Sequence, residues 1–205
     1  MLSPVEIRAR YERVSAEVGL EVTVVAATKY VALAEMAVLA EAGVEVVGEN
    51  RVQDLEAKYA AYGDTFRWHF IGRLQSNKVK TVNRICELVH SLDTHSAGKR
   101  LEVPALVQVN LAGEESKAGV APAEIGDYLR YGVVGLSTMP PAAAAPDESR
   151  PWFRRLAELA AGHSLQELSM GTTQDYRIAA EEGATYVRVG SVLFGDLGGR
   201  YDPVT

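Results

Sequence analysis

The chain has 205 residues, 47% of them hydrophobic and 23% charged, with a formal net charge of −6. This balance excludes a disordered chain, is enough for one large core, and leaves no overall attraction for nucleic acid or an anionic membrane. No run has the length and apolarity of a bilayer span or signal peptide, and the lone Cys86 cannot pair internally, so a soluble cytoplasmic protein with a single domain over 1–205 is expected.

Ser3-Pro4 starts a helix in which Val5, Ile7, Tyr11 and Val14 recur at helical spacing. After it, short β-branched runs predict strands at 22–27, 45–47, 67–71, 88–91, 103–109, 133–136, 167–169 and 185–189. Ala-, Leu- and Glu-rich stretches between them predict helices at 32–42, 52–61, 123–130, 152–161 and 176–182, with Gly43, Gly63, Gly162 and Gly183 as stops. The basic cluster Lys78, Lys80 and Arg84 is read as a solvated helix face, and Cys86, next to Ile85 and close to Leu88-Val89, as a buried small hydrophobe. Met139–Pro151, rich in proline and alanine, is read as a loop over one end of the fold.

Strand–helix alternation implies a parallel sheet, since a parallel crossover needs a helix-length connection. Eight units favour an α/β protein built as a closed (β/α)8 TIM-type barrel, and no GxGxxG follows the first strand to support a dinucleotide-binding sheet. No helix is expected after strand eight, where only Phe194–Thr205 remains; the extra N-terminal helix takes that place in the outer ring.

In such a barrel the C-terminal strand ends converge on one site. Ser169-Met170-Gly171-Thr172-Thr173 after strand seven and Gly190-Ser191 after strand eight stand where phosphate sites occur, with glycines for close backbone approach and hydroxyls as donors. The same residues also serve as ordinary turn and cap residues. Lys29 ends the first strand behind Val24-Val25-Ala26-Ala27, where desolvation favours a neutral amine able to form an imine; a sugar-phosphate aldolase would use the same group. Arg188, in strand eight, can only donate hydrogen bonds. Facing a pyridine nitrogen it would hold that nitrogen unprotonated and weaken the ring as an electron sink; facing outward it would pair with an acid such as Glu182. His69, between Trp68 and Phe70, reads either as a ring-contacting or proton-carrying residue or as a satisfied core histidine, and Asn50 either as a ring ligand or as a helix cap.

Long strings carry a resemblance over about residues 22–196: Ala26-Ala27-Thr28-Lys29, Gly48-Glu49-Asn50-Arg51-Val52-Gln53-Asp54, Trp68-His69-Phe70-Ile71-Gly72-Arg73-Leu74-Gln75-Ser76-Asn77-Lys78, Glu115-Ser116-Lys117-Ala118-Gly119, Leu168-Ser169-Met170-Gly171 and Val187-Arg188-Val189-Gly190-Ser191. In these strings the chain resembles the pyridoxal phosphate homeostasis proteins. The resemblance implies a barrel of the alanine racemase N-terminal domain kind, with pyridoxal 5'-phosphate held as a Schiff base on Lys29. It implies phosphate contacts at Ser169, Met170, Gly171, Gly190 and Ser191, Arg188 near the pyridine nitrogen, and Asn50, His69 and Ser137 near the ring. Thr172-Thr173 replaces the family's Met-Ser pair, Ser137-Thr138-Met139-Pro140-Pro141 varies its Leu-Met-x-x-Pro pattern, and the N-terminal helix and the 140–151 loop are short.

The implied role is that of a cofactor carrier or regulator of the vitamin B6 pool, without established catalysis, delivering to acceptor apo-enzymes as a monomer or weak dimer. The alternative is a low-activity amino-acid racemase. Two-base racemisation needs a second acid–base opposite the lysine. In alanine racemase a further β domain of the partner supplies it, and an end at Thr205 leaves no room for one, with Tyr30 or His69 as conceivable substitutes. No metal site is expected.

Overall fold

The computed structural model describes residues 2–114, 118–141 and 144–195. Glu115–Lys117 of the quoted strings, residues 142–143 of the expected loop and residues 196–205 lie outside the described residues.

Eight parallel strands form a closed barrel in chain order: β1 (Thr23–Ala27), β2 (Val46–Glu49), β3 (Arg67–Phe70), β4 (Leu88–Leu92), β5 (Ala105–Gln108), β6 (Val133–Ser137), β7 (Glu167–Ser169) and β8 (Tyr186–Val189). Closure comes from β1 against β8, in the register Thr23↔Tyr186 to Ala26↔Val189. The helices are α1 (Pro4–Val18), α2 (Met36–Glu41), α3 (Val52–Tyr62), α4 (Val79–Ile85), α5 (His95–Gly98), α6 (Ile125–Tyr128), α7 (Arg150–Gly162), α8 (Tyr176–Glu181) and α9 (Ser191–Phe194), with 3-10 turns leading into α2, α6 and α7. None of the described helices is long and apolar enough to cross a membrane.

α1 starts on a capping box: the Ser3 hydroxyl accepts the Glu6 amide while the Glu6 carboxylate accepts the Ser3 amide, and Pro4 occupies the first turn. Its inward stripe is Ile7, Val14 and Val18, with Tyr11 packed at the edge; Val5 is 76% exposed and lies off that stripe. The helix packs against α2, α8 and α9, so it fills the outer ring as expected.

Four sequence expectations change. A four-residue helix, α9, does follow strand eight. The 139–151 loop is shorter than expected, because a 3-10 turn at Pro146–Ser149 runs straight into α7, whose first turn accepts Pro151 without loss of a bonded N–H. Gly162 is the last residue of α7 rather than its stop; Ser164, at φ 56°, makes the left-handed turn. Asn50 is not a helix cap, since Arg51 is the residue before α3 and no side chain caps that end. Of the basic cluster, Lys80 and Arg84 fall on α4 as a solvated face while Lys78 precedes the helix and is half-buried; Cys86 is buried, which pushes its thiol up to about 12.

Two packed regions result. The layer between strands and helices is one continuous apolar cluster that includes Val24, Ala26, Val47, Trp68, Phe70, Val89, Val107, Leu136, Val187 and Val189. The opposite strand parity faces the lumen, where the buried apolar residues Val25, Val46, Leu88 and Leu106 stand outside that cluster. Registers Val25↔Arg188, Gly48↔His69, Ser137↔Ser169 and Ser169↔Tyr186 place polar side chains on the same inward parity.

Candidate functional site

A cavity of about 530 Å³ opens at the C-terminal ends of the strands. Ala27, Lys29 and Tyr30 enter it from the end of β1, Asn50 from β2, and Ile71 and Gly72 from β3. Met139 comes from the loop after β6, Thr172, Thr173 and Gln174 from the loop after β7, and Arg188, Gly190, Ser191, Phe194 and Gly195 from β8 and α9. Of the residues expected at the site, Lys29, Asn50, Arg188, Gly190 and Ser191 line this cavity. His69, Ser137 and Ser169 are buried in the lumen at 2% exposure or less, Met170 is buried in the apolar layer between strands and helices, and Gly171 is buried against α8. At Gly171, φ is +88° and a Cβ would stand 2.5 Å from that of Ala179, so the residue serves the turn and the seating of α8.

Lys29 is half-buried, its Nζ 4.8 Å from the centre of the Tyr30 ring. The backbone on which it sits is clamped by a buried ion pair that sequence reasoning missed. Lys58 on α3 donates to Glu49 Oε1 at 2.5 Å and to the Thr28 carbonyl at 2.9 Å, while the Thr28 hydroxyl donates to Glu49 Oε1 at 2.6 Å. Burial raises the Glu49 carboxyl above the ordinary range, with Lys58 and Thr28 opposing it. Glu49 and Lys58 stand on a strand and the following helix, a spacing with no one-dimensional periodicity to reveal it.

Arg188 points inward, and the outward pairing with Glu182 does not form: Glu182 binds Arg150 and Arg154 instead. The Arg188 Nη1 group donates to the Ser169 carbonyl at 2.9 Å and to the Ser169 hydroxyl, and Nη2 donates to the Thr138 carbonyl at 2.9 Å. Among the described residues three of its five N–H donors find acceptors, and its Nε–H and one Nη2–H find none. Burial pulls the guanidinium down to about 10, so it remains charged at neutral pH.

The two threonines after β7 have different duties. Thr172 donates its amide and hydroxyl to Asp175 Oδ1, which pins the turn. The Thr173 hydroxyl oxygen accepts the Gly190 amide at 3.2 Å and the Val192 amide at 3.5 Å, so its own proton is available to an acceptor in the cavity. The described lining therefore carries two cations, Lys29 and Arg188, and no carboxylate, with hydroxyls of Thr173 and Ser191 at the β8 side. This composition suits an anionic, planar ligand of modest size.

The floor is held by close packing. A Cβ on Gly72 would lie 2.0 Å from the Asn50 carbonyl oxygen. Gly72→Ala is accordingly expected to cost about 2–3 kcal/mol, read as a lower urea midpoint at unchanged slope; an unchanged midpoint would show that the two loops separate freely.

The chain matches the family of the alanine racemase N-terminal domain over residues 3–198. A pyridoxal phosphate homeostasis protein of Synechocystis is 33% identical over 91% of this chain and 96% of its own length. The chain belongs to the pyridoxal phosphate homeostasis protein family. A further member, from Aquifex aeolicus, is 41% identical over 75% of this chain and 78% of its own length. PipY of Synechococcus elongatus, solved both without and with pyridoxal phosphate, superposes with a TM-score of 0.82 at 31% identity, over 92% of this chain and 100% of PipY. The barrel is thus the family's barrel, and the expected fold of the alanine racemase N-terminal kind holds.

Proposed function

We propose that this chain binds pyridoxal 5'-phosphate at the C-terminal mouth of the barrel, covalently through Lys29, and serves as a cytoplasmic carrier or regulator of the cofactor pool. The observation that carries this reading is the pairing of a half-buried lysine and an inward arginine with two uncommitted N–H donors across one 530 Å³ cavity. PipY, solved with pyridoxal phosphate bound, supports it.

When bound, pyridoxal phosphate would supply an aldehyde group that a lysine amine can hold covalently. Lys29 provides that amine. Arg188 would present a donor to the pyridine nitrogen and so keep it free of a proton. The Thr173 and Ser191 hydroxyls and the backbone around Gly190 would hold the phosphate, and Asn50, which lines the cavity beside Gly72, would contact the ring. Ser169, Ser137 and His69 act from below, through Arg188 and the lumen.

A racemase needs an acid–base on the face opposite the lysine. Of the two groups considered for that part, His69 is buried under the floor and Tyr30 lies against Lys29 on the same side. This favours binding over turnover.

The test is reconstitution with pyridoxal phosphate, reduction with borohydride and peptide mapping. One pyridoxyl group per chain is expected on Lys29, and none on Lys29→Ala. The loaded protein should then reactivate a pyridoxal-phosphate-dependent apo-enzyme in the presence of a scavenger of free cofactor. No uptake by the wild type, or an adduct on another lysine, overturns the binding reading; efficient alanine racemisation lost in Lys29→Ala overturns the carrier reading.

A further inference from the structure

Below the cavity floor, the lumen holds a row of four side chains contributed by four different strands. The hydroxyl of Ser169 on β7 receives an N–H of Arg188 on β8. That same Oγ lies 2.7 Å from Nδ1 of His90 on β4, and Nε2 of His90 lies 2.9 Å from Nδ1 of His69 on β3. All four side chains are buried, Arg188 at 8% exposure and the others at 2% or less. The Ser137 hydroxyl on β6 donates to the carbonyl of His90 and ties that strand end as well.

The direction of the bonds in this row follows from two facts: a guanidinium has donors only, and among the described residues the Ser169 hydroxyl has no other acceptor than His90 Nδ1. Arg188 donates to Ser169, and the serine proton goes to that one acceptor, so His90 Nδ1 accepts. His90 then carries its proton on Nε2 and donates to His69 Nδ1, which must also accept. Both imidazoles are therefore neutral and in the Nε2–H form. Hydrogen bonds pointing the same way polarise one another, so the row reinforces the grip on the arginine.

We infer that His90, acting through Ser169, is a positioning residue that sets the orientation of Arg188 at the cavity, with His69 as its back-stop. The inference rests on the reading of the cavity as the cofactor site. Among the described residues, none offers either ring a counter-charge. His90 is faced by His69 from β3 with ring centres 5.0 Å apart, by Tyr186 from β8 at 5.3 Å, by the Arg188 guanidinium, and by the hydroxyls of β6 and β7. His69 is faced by Tyr186 at 5.7 Å and feels the positive charge of Arg67, while Glu167 is engaged with Thr185 and Tyr186. Burial and these cations hold both imidazoles uncharged, His69 at about 3 and His90 well below its ordinary value.

Two measurements test this. Nitrogen-15 NMR of the wild-type imidazoles, followed from pH 8 to pH 5, should show a bare Nδ1 and a protonated Nε2 on both rings throughout. In His90→Phe the affinity for pyridoxal phosphate should fall about tenfold, the net worth of one buried hydrogen bond. The pH at which the bound chromophore titrates should shift, while borohydride still fixes the adduct on Lys29. His90→Gln, whose amide offers an acceptor toward Ser169 and a donor toward His69, should restore most of both readouts. Unchanged affinity and pH profile in a folded His90→Phe, or a proton on Nδ1 of either wild-type ring, overturns the inference. If the wild type takes up no cofactor, the site reading falls, and positioning of a cofactor-facing arginine falls with it; the NMR spectra then decide the direction of the hydrogen-bond row by themselves.

Discussion

Glu49→Ala is expected to lower the unfolding free energy by about 3–5 kcal/mol, read as a fall in urea midpoint. The reason is the partner left behind. Lys58 Nζ, on a side chain 4% exposed, has Glu49 Oε1 and the Thr28 carbonyl as its hydrogen-bond acceptors. Removing the carboxylate strands an ammonium in the protein interior, which is the costly way to break such a pair. The pair itself need not be stabilising, because burying both charges already costs several kcal/mol per ion. Glu49 Oε2 finds no partner among the described residues, and burial raises the carboxyl, so this carboxylate is imperfectly compensated.

Glu49→Leu combined with Lys58→Met is therefore expected to recover stability to within about 1 kcal/mol of the wild type or beyond it. Cofactor binding should separate from stability in that double variant. Thr28 keeps the Gly48 carbonyl as an acceptor for its hydroxyl at 3.3 Å and the Val31 amide as a donor to its carbonyl, but loses the shorter bond to Glu49 and the tie to Lys58. The strand end under Lys29 is then less well held, and formation of the borohydride-trapped adduct should slow. A single Glu49→Ala cost below about 1 kcal/mol, or adduct formation at the wild-type rate in the folded double variant, would refute the clamp.

A second large effect lies in mild acid. Both lumen histidines fold neutral, with proton affinities pulled below their unfolded values by burial. Below pH ~6.5 the unfolded chain binds protons at these two positions that the folded chain refuses, so stability falls with pH. The loss begins near pH 6.5 and for His69 continues to about pH 3, where the folded ring itself protonates. For two such groups it amounts to about 3 kcal/mol between pH 6.5 and pH 5. Glu49 and Asp93 carry raised carboxyl values and contribute with the opposite sign on acidification, which makes an internal reference necessary. The measurement is the difference between wild type and a His69→Leu, His90→Leu double variant in urea midpoint at pH 7, 6 and 5. The wild type should lose stability relative to the double variant as pH falls; parallel curves would place the protons elsewhere.

The strand order, the N-terminal helix in the outer ring and the collection of polar residues at one barrel end are legible one residue at a time. Val22–Ala27 and Val187–Val189 announce strands because β-branched runs suit a pleated, buried surface, and Gly43 and Gly183 mark turns after helices because their backbones are left-handed, at φ 80° and 89°. Lys29 and Arg188 stand out as charges at the ends of such runs. Two things are hidden. Strands buried on both faces read as near-continuous apolar segments, so the alternation that would tell lumen from helix layer is blurred. That is why His69 admits two readings and nothing in the sequence singles out His90. The Glu49–Lys58 pair spans a strand–loop–helix junction, where neither period 2 nor period 3.6 applies.

Lys29 at the end of the first strand, the fold and the family are thus legible in the sequence alone. Tertiary closure decided the rest. Joining β1 to β8 chose which parity faces inward, and so turned Arg188 away from Glu182 and onto Ser169. It also joined His90 to His69 by a hydrogen bond and left Lys29 and Arg188 facing one cavity. Such contacts depend on the shear between strands distant in sequence, a quantity that no local pattern of residues encodes.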